Sequence, residues 1–335
     1  YILGAARTPV GSFQGSLATQ SAPELGAHAI AAALANGQVK ADEVNEVIIG
    51  NVVSSGLKQA PARQAMRIAQ LPDSCAATTI NKVCGSGMKA TMLAMDLIKA
   101  GSADTVVAGG MESMSNAPYL VAKARAGLRM GHAGMLDSLF TDGLEDAETG
   151  GSMGSFAQNT ADEHQLTREA MDAYAIESVN RARAAIENKS LASEIAPIDI
   201  KGTMVEDDEQ PGKAKLDKIP SLRPAFKSDG TITAANASTL NDGASALVLM
   251  SADKAAELNI KPLAKIISYA DAAKEPKWFT TAPAKALPIA LNKAGLSIND
   301  VDYYELNEAF SVVGLANIKI LELNASKVNV NGGAV

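Results

Sequence analysis

The chain has 335 residues, 47% of them hydrophobic, a composition typical of proteins that bury a large core in one domain or two. Its formal charge of −7, with Lys and Arg scattered along the sequence, excludes the clustered basic face of a nucleic-acid-binding protein and favours a small-molecule partner. The longest purely apolar run, residues 29–35, is far shorter than the roughly 18 residues of a membrane-spanning helix.

The sequence contains two cysteines, Cys75 and Cys84. Two are too few for a disulfide framework, and neither belongs to the paired Cys/His spacing of a zinc site. We therefore expect no metal ligands among them and a reducing compartment. The sequence does not choose between the cytoplasm and the mitochondrial matrix.

Strand-like and helix-like segments alternate over the first part of the chain, as in a mostly parallel sheet covered by helices. Ser21 and Glu24 form a capping-box signature ahead of an Ala-rich helix at residues 25–34. Apolar residues recur at near-helical spacing after Ser86, until Gly101 ends that helix. The pattern predicts an α/β fold. Its other elements are a helix at residues 61–70 and strands at residues 1–3, 47–53, 76–83 and 104–110.

Residues 117–235 are polar and rich in Gly and Met, and they indicate an inserted loop domain. The acidic, turn-prone run 205–210 predicts an exposed loop with a solvated surface. One long helix is predicted in this region from an apolar stripe at Ala175, Val179, Ala182 and Ile186.

Strand-like sequence returns at residues 244–250, and a second alternating series runs from a strand at residues 263–267 to another at residues 301–306. We therefore predict three parts. They are an N-terminal α/β half of residues 1–116 and 236–258, an inserted loop domain of residues 117–235, and an incomplete C-terminal α/β half of residues 259–335.

Cys84 lies between a predicted strand and a predicted helix, followed by Gly85 and Gly87. The unpaired N–H groups and positive dipole end of a helix N-terminus favour a thiolate, which is the better nucleophile. The two glycines permit a tight turn and the close approach of a substrate carbonyl. Taken alone, a cysteine before glycine is weak evidence, because most cysteines are small buried hydrophobic residues, and Cys75 keeps that interpretation.

Two further polar segments adjoin predicted strands. Asn307 follows the predicted strand 301–306, where open α/β sheets place active-site groups, although it could also cap the next helix. The segment Ala234 to Gly243 precedes the predicted strand 244–250 and by itself reads as a turn.

In this order and spacing, these segments resemble the thiolase family. Residues 233–241 and 271–276 are most similar to the short-chain acetoacetyl-CoA thiolases, also called acetyl-CoA acetyltransferases. The motifs that carry the resemblance are Asn81 to Met88, Asn307 to Phe310, residues 234–243, Arg7-Thr8-Pro9, Gly109 to Met114, Leu222 to Phe226 and Asn329 to Ala334.

The resemblance implies a thiolase-like fold, with two related α/β halves in an α-β-α-β-α layered arrangement and an inserted loop domain. It implies that Cys84 attacks an acyl-CoA and carries the acyl group, and that Asn307 helps hold a water which, with a histidine, binds the thioester oxygen. Ser238 corresponds to a contact of the pantetheine part of CoA. The positions that correspond to walls of the CoA tunnel are Leu144, Met153, Phe226, Ala234, Ala309 and Phe310.

The implied reaction is condensation of two acetyl-CoA to acetoacetyl-CoA and CoA, or its thiolytic reverse. No cofactor is expected beyond CoA, which belongs to the substrate, and potassium activates some short-chain members. Neither nucleic acid nor a membrane is an expected partner. The family resemblance predicts a homodimer or homotetramer.

Three departures from the family pattern affect these expectations. Ser152 stands where several biosynthetic members have a histidine, and near Pro211 an arginine used by some relatives close to the CoA phosphates is absent, with Lys213 or Lys218 as substitutes. Family members also continue past the Asn-Gly-Gly-Ala segment into a Gly-His-Pro motif and a Cys-Gly motif that supply acid/base groups. We expect the sequence to represent part of a complete enzyme. Its own histidines, expected to be structural or exposed, are His28, His132 and His164.

Two alternatives to a short-chain thiolase remain at this stage. One is a 3-ketoacyl-CoA thiolase of broader chain length, and the other is a non-catalytic thiolase-like protein that binds CoA. A ketoacyl synthase is disfavoured, because those enzymes pair their cysteine with two histidines and lack the Asn-Glu-Ala-Phe pattern.

Overall fold

The computed structural model describes all 335 residues, which divide into two compact units. The first unit comprises residues 1–144, 193–209 and 240–266, and the second comprises residues 145–192, 210–239 and 267–335. The predicted division into two α/β halves and an inserted domain stays a prediction.

All ten strands belong to the first unit. They are β1 (Ile2–Arg7), β2 (Gly11–Ser12), β3 (Glu46–Gly50), β4 (Ala76–Ile80), β5 (Thr105–Ser113), β6 (Tyr119–Leu120), β7 (Leu136–Asp137), β8 (Ile198–Ile200), β9 (Thr203–Val205) and β10 (Asn241–Met250).

Nine α-helices complete the regular structure. They are α1 (Ala22–Asn36), α2 (Pro61–Ile68), α3 (Ser86–Lys99), α4 (Met153–Glu163), α5 (Arg168–Glu187), α6 (Glu209–Lys213), α7 (Ala252–Glu257), α8 (Pro283–Ala294) and α9 (Ser311–Leu321).

The main sheet of the first unit has the strand order β1-β10-β5-β3-β4, and β2 pairs with β10. Strands β5, β3 and β4 are mutually parallel, whereas β10 runs antiparallel to both of its neighbours in that order. The α/β class predicted from the alternation of segments is confirmed, with a mixed sheet as its centre.

Helices cover both faces of this sheet because successive strand residues point to opposite sides. Val47 and Ile49 of β3 pack in one cluster with residues of α1 and α2, whereas Ile48 packs in another with Ala90 and Ala94 of α3. The start of α1 carries the predicted capping box, since the Ser21 side chain accepts from the Glu24 N–H and the Glu24 side chain accepts from the Ser21 N–H.

The second unit contains α4, α5, α8, α9 and all of α6 except Glu209, and it contains no strand. One apolar cluster joins Ala157 and Ala161 of α4 to Met171 of α5 and to Val312 and Val313 of α9. The long helix predicted from its apolar stripe is confirmed as α5, where Ala175 and Val179 are buried.

Two predicted strands, residues 263–267 and 301–306, are wrong. Ala264 makes a single bridge with Ile2, and Tyr304 makes a single bridge with Val328. A strand requires a partner that pairs over several consecutive residues, and here pairing stops after one. The residue types at these positions favour extended backbone, but no neighbouring strand forms a ladder of hydrogen bonds with either segment.

The prediction of a solvated acidic loop at residues 205–210 is wrong for its last two carboxylates. Asp208 accepts two hydrogen bonds from the guanidinium of Arg7, at 2.7 and 2.9 Å, and each residue of that pair keeps only 18% of its side chain exposed. Glu209 accepts from the backbone N–H groups of Ser12 and Ser16. These carboxylates are drawn inward because a half-buried guanidinium and turn N–H groups need acceptors.

Candidate active site

Cys84 lies in the connection between β4 and α3, four residues after the last strand residue and one residue before Gly85, which caps the helix. Cys84 is exposed to solvent, whereas Cys75 is buried. The predicted position of Cys84 between a strand and a helix is confirmed.

The chain changes direction just before Cys84 through a residue in the left-handed conformation. Val83 has a φ of 48°, an uncommon conformation for a β-branched residue that costs on the order of 1–3 kcal/mol. Hydrogen bonds hold it in place, because the Ser86 hydroxyl donates to the Val83 carbonyl at 2.6 Å and accepts from the Lys82 N–H at 2.8 Å. The expected role of Gly85 in the tight turn is wrong, since its φ of −87° is open to any residue.

The first turn of α3 lies unusually close to the end of β3. A Cβ added at Gly50 would lie 2.5 Å from the Cβ of Ser86, which is itself 4% exposed. Gly87 lies against β5, where a Cβ would make ordinary contact with Gly110 at 3.5 Å. The missing side chain at Gly50 therefore lets the first turn of α3 lie directly against β3, which fixes the position of the Cys84 turn relative to the sheet.

Desolvation by the surrounding protein raises the pKa of the Cys84 thiol, and a hydrogen bond from its own backbone N–H only partly offsets this rise. Desolvation therefore acts against the sequence-based expectation that the helix N-terminus favours a thiolate at Cys84. Cys84 has a solvent-facing surface, but the protein atoms around its sulfur limit hydration of a negative charge. A general base is needed to generate the nucleophile at neutral pH.

Cys75 is a buried thiol in the apolar core of the first unit. Desolvation, with a smaller contribution from the charge of Glu46, raises its pKa to about 11. Its Sγ–H donates to the carbonyl of Ala76. The sequence interpretation of Cys75 as a small buried hydrophobic residue is confirmed.

Asn307 is exposed, whereas its neighbours Leu306 and Glu308 are buried. The alternative that it caps the next helix is wrong, because α9 begins at Ser311 and its cap residue, Phe310, makes no side-chain hydrogen bond. The side chain of Asn307 is therefore exposed to solvent, and its amide is available to a ligand or a water.

Several predicted CoA-contacting residues come together in the second unit. The rings of Phe226 and Phe310 pack edge to face, with centroids 6.2 Å apart. Met153 and Ala309 pack against the same apolar cluster as Phe310, and the Ser238 N–H donates to the Ala309 carbonyl at 3.0 Å. This surface combines apolar side chains with an exposed hydroxyl, as a pantetheine chain would require.

Two predicted contact residues lie apart from that arrangement. Ala234 is exposed in the turn before Ser238. Leu144 is half-buried and belongs to the first unit, at the end of a short π-helix, Phe140–Leu144. Segments of π-helix occur frequently at functional sites.

Asn236 is a positioning residue of this region that sequence reasoning missed. It is fully buried, its Oδ1 accepts from the Thr233 N–H at 2.8 Å, and its Nδ2 donates to Asp172 and to the Thr231 carbonyl. It therefore fixes the turn that carries Ser238. Its place near the start of the small, polar segment 234–243 was the available signal.

The three histidines form no candidate catalytic pair within the described chain. His28 Nε2 lies 3.3 Å from the Ala196 carbonyl, His132 is exposed, and His164 is half-buried as the C-cap of α4.

Lys213 and Lys218 are exposed, so the predicted phosphate contact stays a prediction. No cluster of three or more His, Cys, Asp or Glu side chains is arranged to bind a metal ion, and no helix is both long and apolar enough to cross a bilayer.

Two family profiles match the chain, "Thiolase, N-terminal domain" over residues 1–253 and "Thiolase, C-terminal domain" over residues 260–335. Relatives named acetyl-CoA acetyltransferase from Schizosaccharomyces pombe and acetyl-CoA acetyltransferase 2 from Arabidopsis thaliana are each 52% identical to it. The alignments cover 100% of this chain and 86% and 85% of those proteins.

A crystal structure of an Ascaris suum thiolase in complex with coenzyme A has a similar fold. Its TM-score is 0.97 at 43% sequence identity, and the alignment covers 100% of this chain and 87% of that one.

Proposed function

The chain belongs to the thiolase family, and we propose that Cys84 is the residue through which it condenses two acetyl-CoA to acetoacetyl-CoA and CoA, or runs the reverse cleavage. The observation that supports this role is an exposed cysteine on a strained turn between β4 and α3. Close contact between Gly50 of β3 and the first turn of α3 fixes the position of that turn relative to the sheet. Relatives at 52% identity over the whole of this chain are acetyl-CoA acetyltransferases by name, and this chain catalyses the same reaction.

The first half-reaction acetylates the cysteine. A base removes the Cys84 proton, the thiolate attacks the thioester carbon of acetyl-CoA, and the carbon–sulfur bond to CoA breaks. CoA leaves with a proton, and Cys84 keeps the acetyl group. Because desolvation raises the pKa of Cys84, a base is required to take this proton, and the family resemblance assigns that role to the histidine of the Gly-His-Pro motif.

The second half-reaction forms the carbon–carbon bond. A base removes a proton from the methyl carbon of a second acetyl-CoA, and the resulting carbanion attacks the carbonyl of acetyl-Cys84. The bond to Sγ breaks, which returns the thiolate and releases acetoacetyl-CoA. We propose that Asn307 holds a water, and that this water binds a thioester oxygen as negative charge develops on the oxygen. The exposed amide of Asn307 is available for this role because it makes no hydrogen bond within the protein.

We assign to Ser238, with the apolar residues around Phe226 and Phe310, contacts with the pantetheine chain. From the family resemblance we also propose a homodimer or homotetramer and a response to potassium. Light scattering of the purified protein and turnover measured in potassium against sodium salts test these two proposals.

Mass spectrometry tests the central assignment directly. After incubation of the complete protein with acetyl-CoA, the tryptic peptide that contains Cys84 should gain one acetyl group, and Cys84→Ala should abolish the label. Cys75→Ala is the matched control and should keep it. Acetyl on Cys75 would overturn the assignment. Turnover of ketoacyl-CoA substrates of increasing chain length separates a short-chain enzyme from a broader 3-ketoacyl-CoA thiolase.

A further inference from the structure

We propose that Glu308 and Asn329 are positioning residues that hold the backbone on both sides of Asn307 and thereby fix the direction of its amide. This inference rests on the proposed function of Asn307. We call the group formed by Tyr174, Ser178, Glu308 and Asn329 the Glu308 clamp. All of its members lie in the second unit.

Glu308 is a buried carboxylate, 1% exposed, that is surrounded by hydrogen-bond donors. Its Oε1 accepts from the Tyr174 hydroxyl at 3.0 Å and from Asn329 Nδ2 at 2.7 Å. Its Oε2 accepts from the Ser178 hydroxyl at 2.7 Å and from the Val335 N–H at 3.2 Å. Four partners from three parts of the chain determine where this side chain sits, and its backbone follows.

Asn329 holds the residue on the other side of Asn307. Its Oδ1 accepts from the Leu306 N–H at 2.8 Å, and its Nδ2 donates to the Leu306 carbonyl at 2.9 Å. The side chain thus pairs with the backbone of Leu306 as a neighbouring strand would. Asn329 has a φ of 47°, a left-handed conformation in which asparagine is among the better tolerated residues.

Helix α5 supplies the rigid base of the clamp. Tyr174 and Ser178 are four residues apart and therefore share one face of that helix. The Ser178 hydroxyl also accepts from the Gly333 N–H at 2.9 Å. Gly314 of α9 leaves room for the Tyr174 ring, because a Cβ at that position would collide with the Tyr174 hydroxyl.

The environment keeps Tyr174 a donor. Desolvation, followed by the nearby charge of Glu308, raises the pKa of the Tyr174 hydroxyl, so the proton stays on it throughout the range in which proteins operate. The Tyr174 hydroxyl is therefore the donor in its hydrogen bond to Glu308.

These contacts matter for Asn307 because its own side chain makes no hydrogen bond to the protein. Its direction depends on the backbone, which is held at Leu306 by Asn329 and at Glu308 by the whole clamp. A carboxylate that must be desolvated is weak evidence for stability, since an apolar side chain of similar size often stabilises a core as well or better. Placement of the intervening residue is the function that the carboxylate serves better than an apolar group would.

A double-mutant cycle separates positioning from general stability. Glu308→Gln places an amide N–H₂ among donors while keeping the side-chain shape, and we expect kcat to fall by about 10- to 100-fold with KM for acetyl-CoA changed less than about 3-fold. In an Asn307→Ala background the same substitution should lower kcat by no more than about 2-fold, because the group being positioned is gone. An equal loss in both backgrounds would overturn the proposal.

Asn329→Gly tests the other side of Asn307. Glycine accepts the left-handed conformation without strain and lacks only the amide, so a fall in kcat similar to that of Glu308→Gln is expected. Glu322→Gln is the matched control, because it removes a carboxylate from an exposed position of the same unit and should leave kcat unchanged. Wild-type kcat in Asn329→Gly would contradict the clamp.

Hydrogen exchange gives a readout that does not depend on the reaction. Backbone amides in a peptide spanning residues 304–310 should exchange faster in Glu308→Gln and Asn329→Gly than in the wild type or Glu322→Gln. Unchanged exchange would overturn the clamp whatever reaction the wild-type protein catalyses. Absence of acetoacetyl-CoA formation by the wild type would instead count against the proposed function alone.

Discussion

Replacing Gly50 with alanine is expected to displace the start of α3 and slow every reaction of Cys84. The new Cβ would lie 2.5 Å from the Cβ of Ser86, 2.8 Å from its carbonyl carbon and 3.0 Å from the backbone nitrogen of Gly87. Carbon atoms in contact sit about 3.5–4.0 Å apart, so the helix and strand must separate by roughly 1 Å. Two of the three obstructing atoms are backbone, and a rotamer change cannot relieve the overlap.

The size of the effect follows from that displacement. Overpacking of this kind typically costs about 1–3 kcal/mol of unfolding free energy. A shift of about 1 Å in a reacting group can lower the rate by as much as about 10²-fold. We therefore expect Gly50→Ala to fold, with reduced stability, and to lose a larger fraction of its turnover than of its stability.

Three measurements test this expectation: kcat for acetoacetyl-CoA formation, the rate of Cys84 alkylation by iodoacetamide, and urea denaturation. Cys75 contributes little to alkylation because it is buried and its pKa is raised to about 11. Gly243→Ala, in β10 of the same sheet, is the matched control, since its Cβ would meet no atom closer than 3.4 Å. Wild-type turnover, alkylation and stability in Gly50→Ala would refute the reasoning.

Asn307→Ala should lower kcat by about 10²-fold or more with the thermal transition nearly unchanged, because removing an oxyanion-hole partner costs a few kcal/mol at the transition state only; an unchanged kcat would show that Asn307 has no part in the chemistry. The alkylation rate of Cys84 should reach its plateau at a higher pH than that of a free cysteine in a peptide, because a raised pKa means less thiolate at every lower pH. A plateau at lower pH than the peptide's would instead show that the helix N-terminus outweighs desolvation.

Local sequence signals were sufficient for the elements that surround Cys84. The Ser21 and Glu24 pair placed the start of α1, and the spacing of apolar residues after Ser86 placed α3. These predictions succeeded because capping and helical periodicity are set by residues three or four positions apart. The strand core of residues 47–49 was also correctly placed, because its apolar residues face helices on both sides of the sheet.

Strand pairing, by contrast, depends on residues far away in the sequence. Residues 301–306 have the composition of a strand, but Tyr304 forms a bridge only with Val328, and the backbone of Leu306 is bonded to the side chain of Asn329 instead. Asp208 and Glu209 likewise read as solvated charges until the fold brings Arg7 and the turn at residues 12–16 to them. Neither contact has a signal within a short window of sequence.

For the candidate site, the sequence by itself determined which residues carry the chemistry: a cysteine between a strand and a helix, an Asn-Glu-Ala-Phe motif and a small, polar segment around Ser238. Only the tertiary structure decided the desolvation of Cys84, the strained turn at Val83 and the burial of Glu308 among four donors. The physical reason is that residue type and spacing set what a side chain can do, whereas its hydration and its partners depend on segments that approach only when the chain folds.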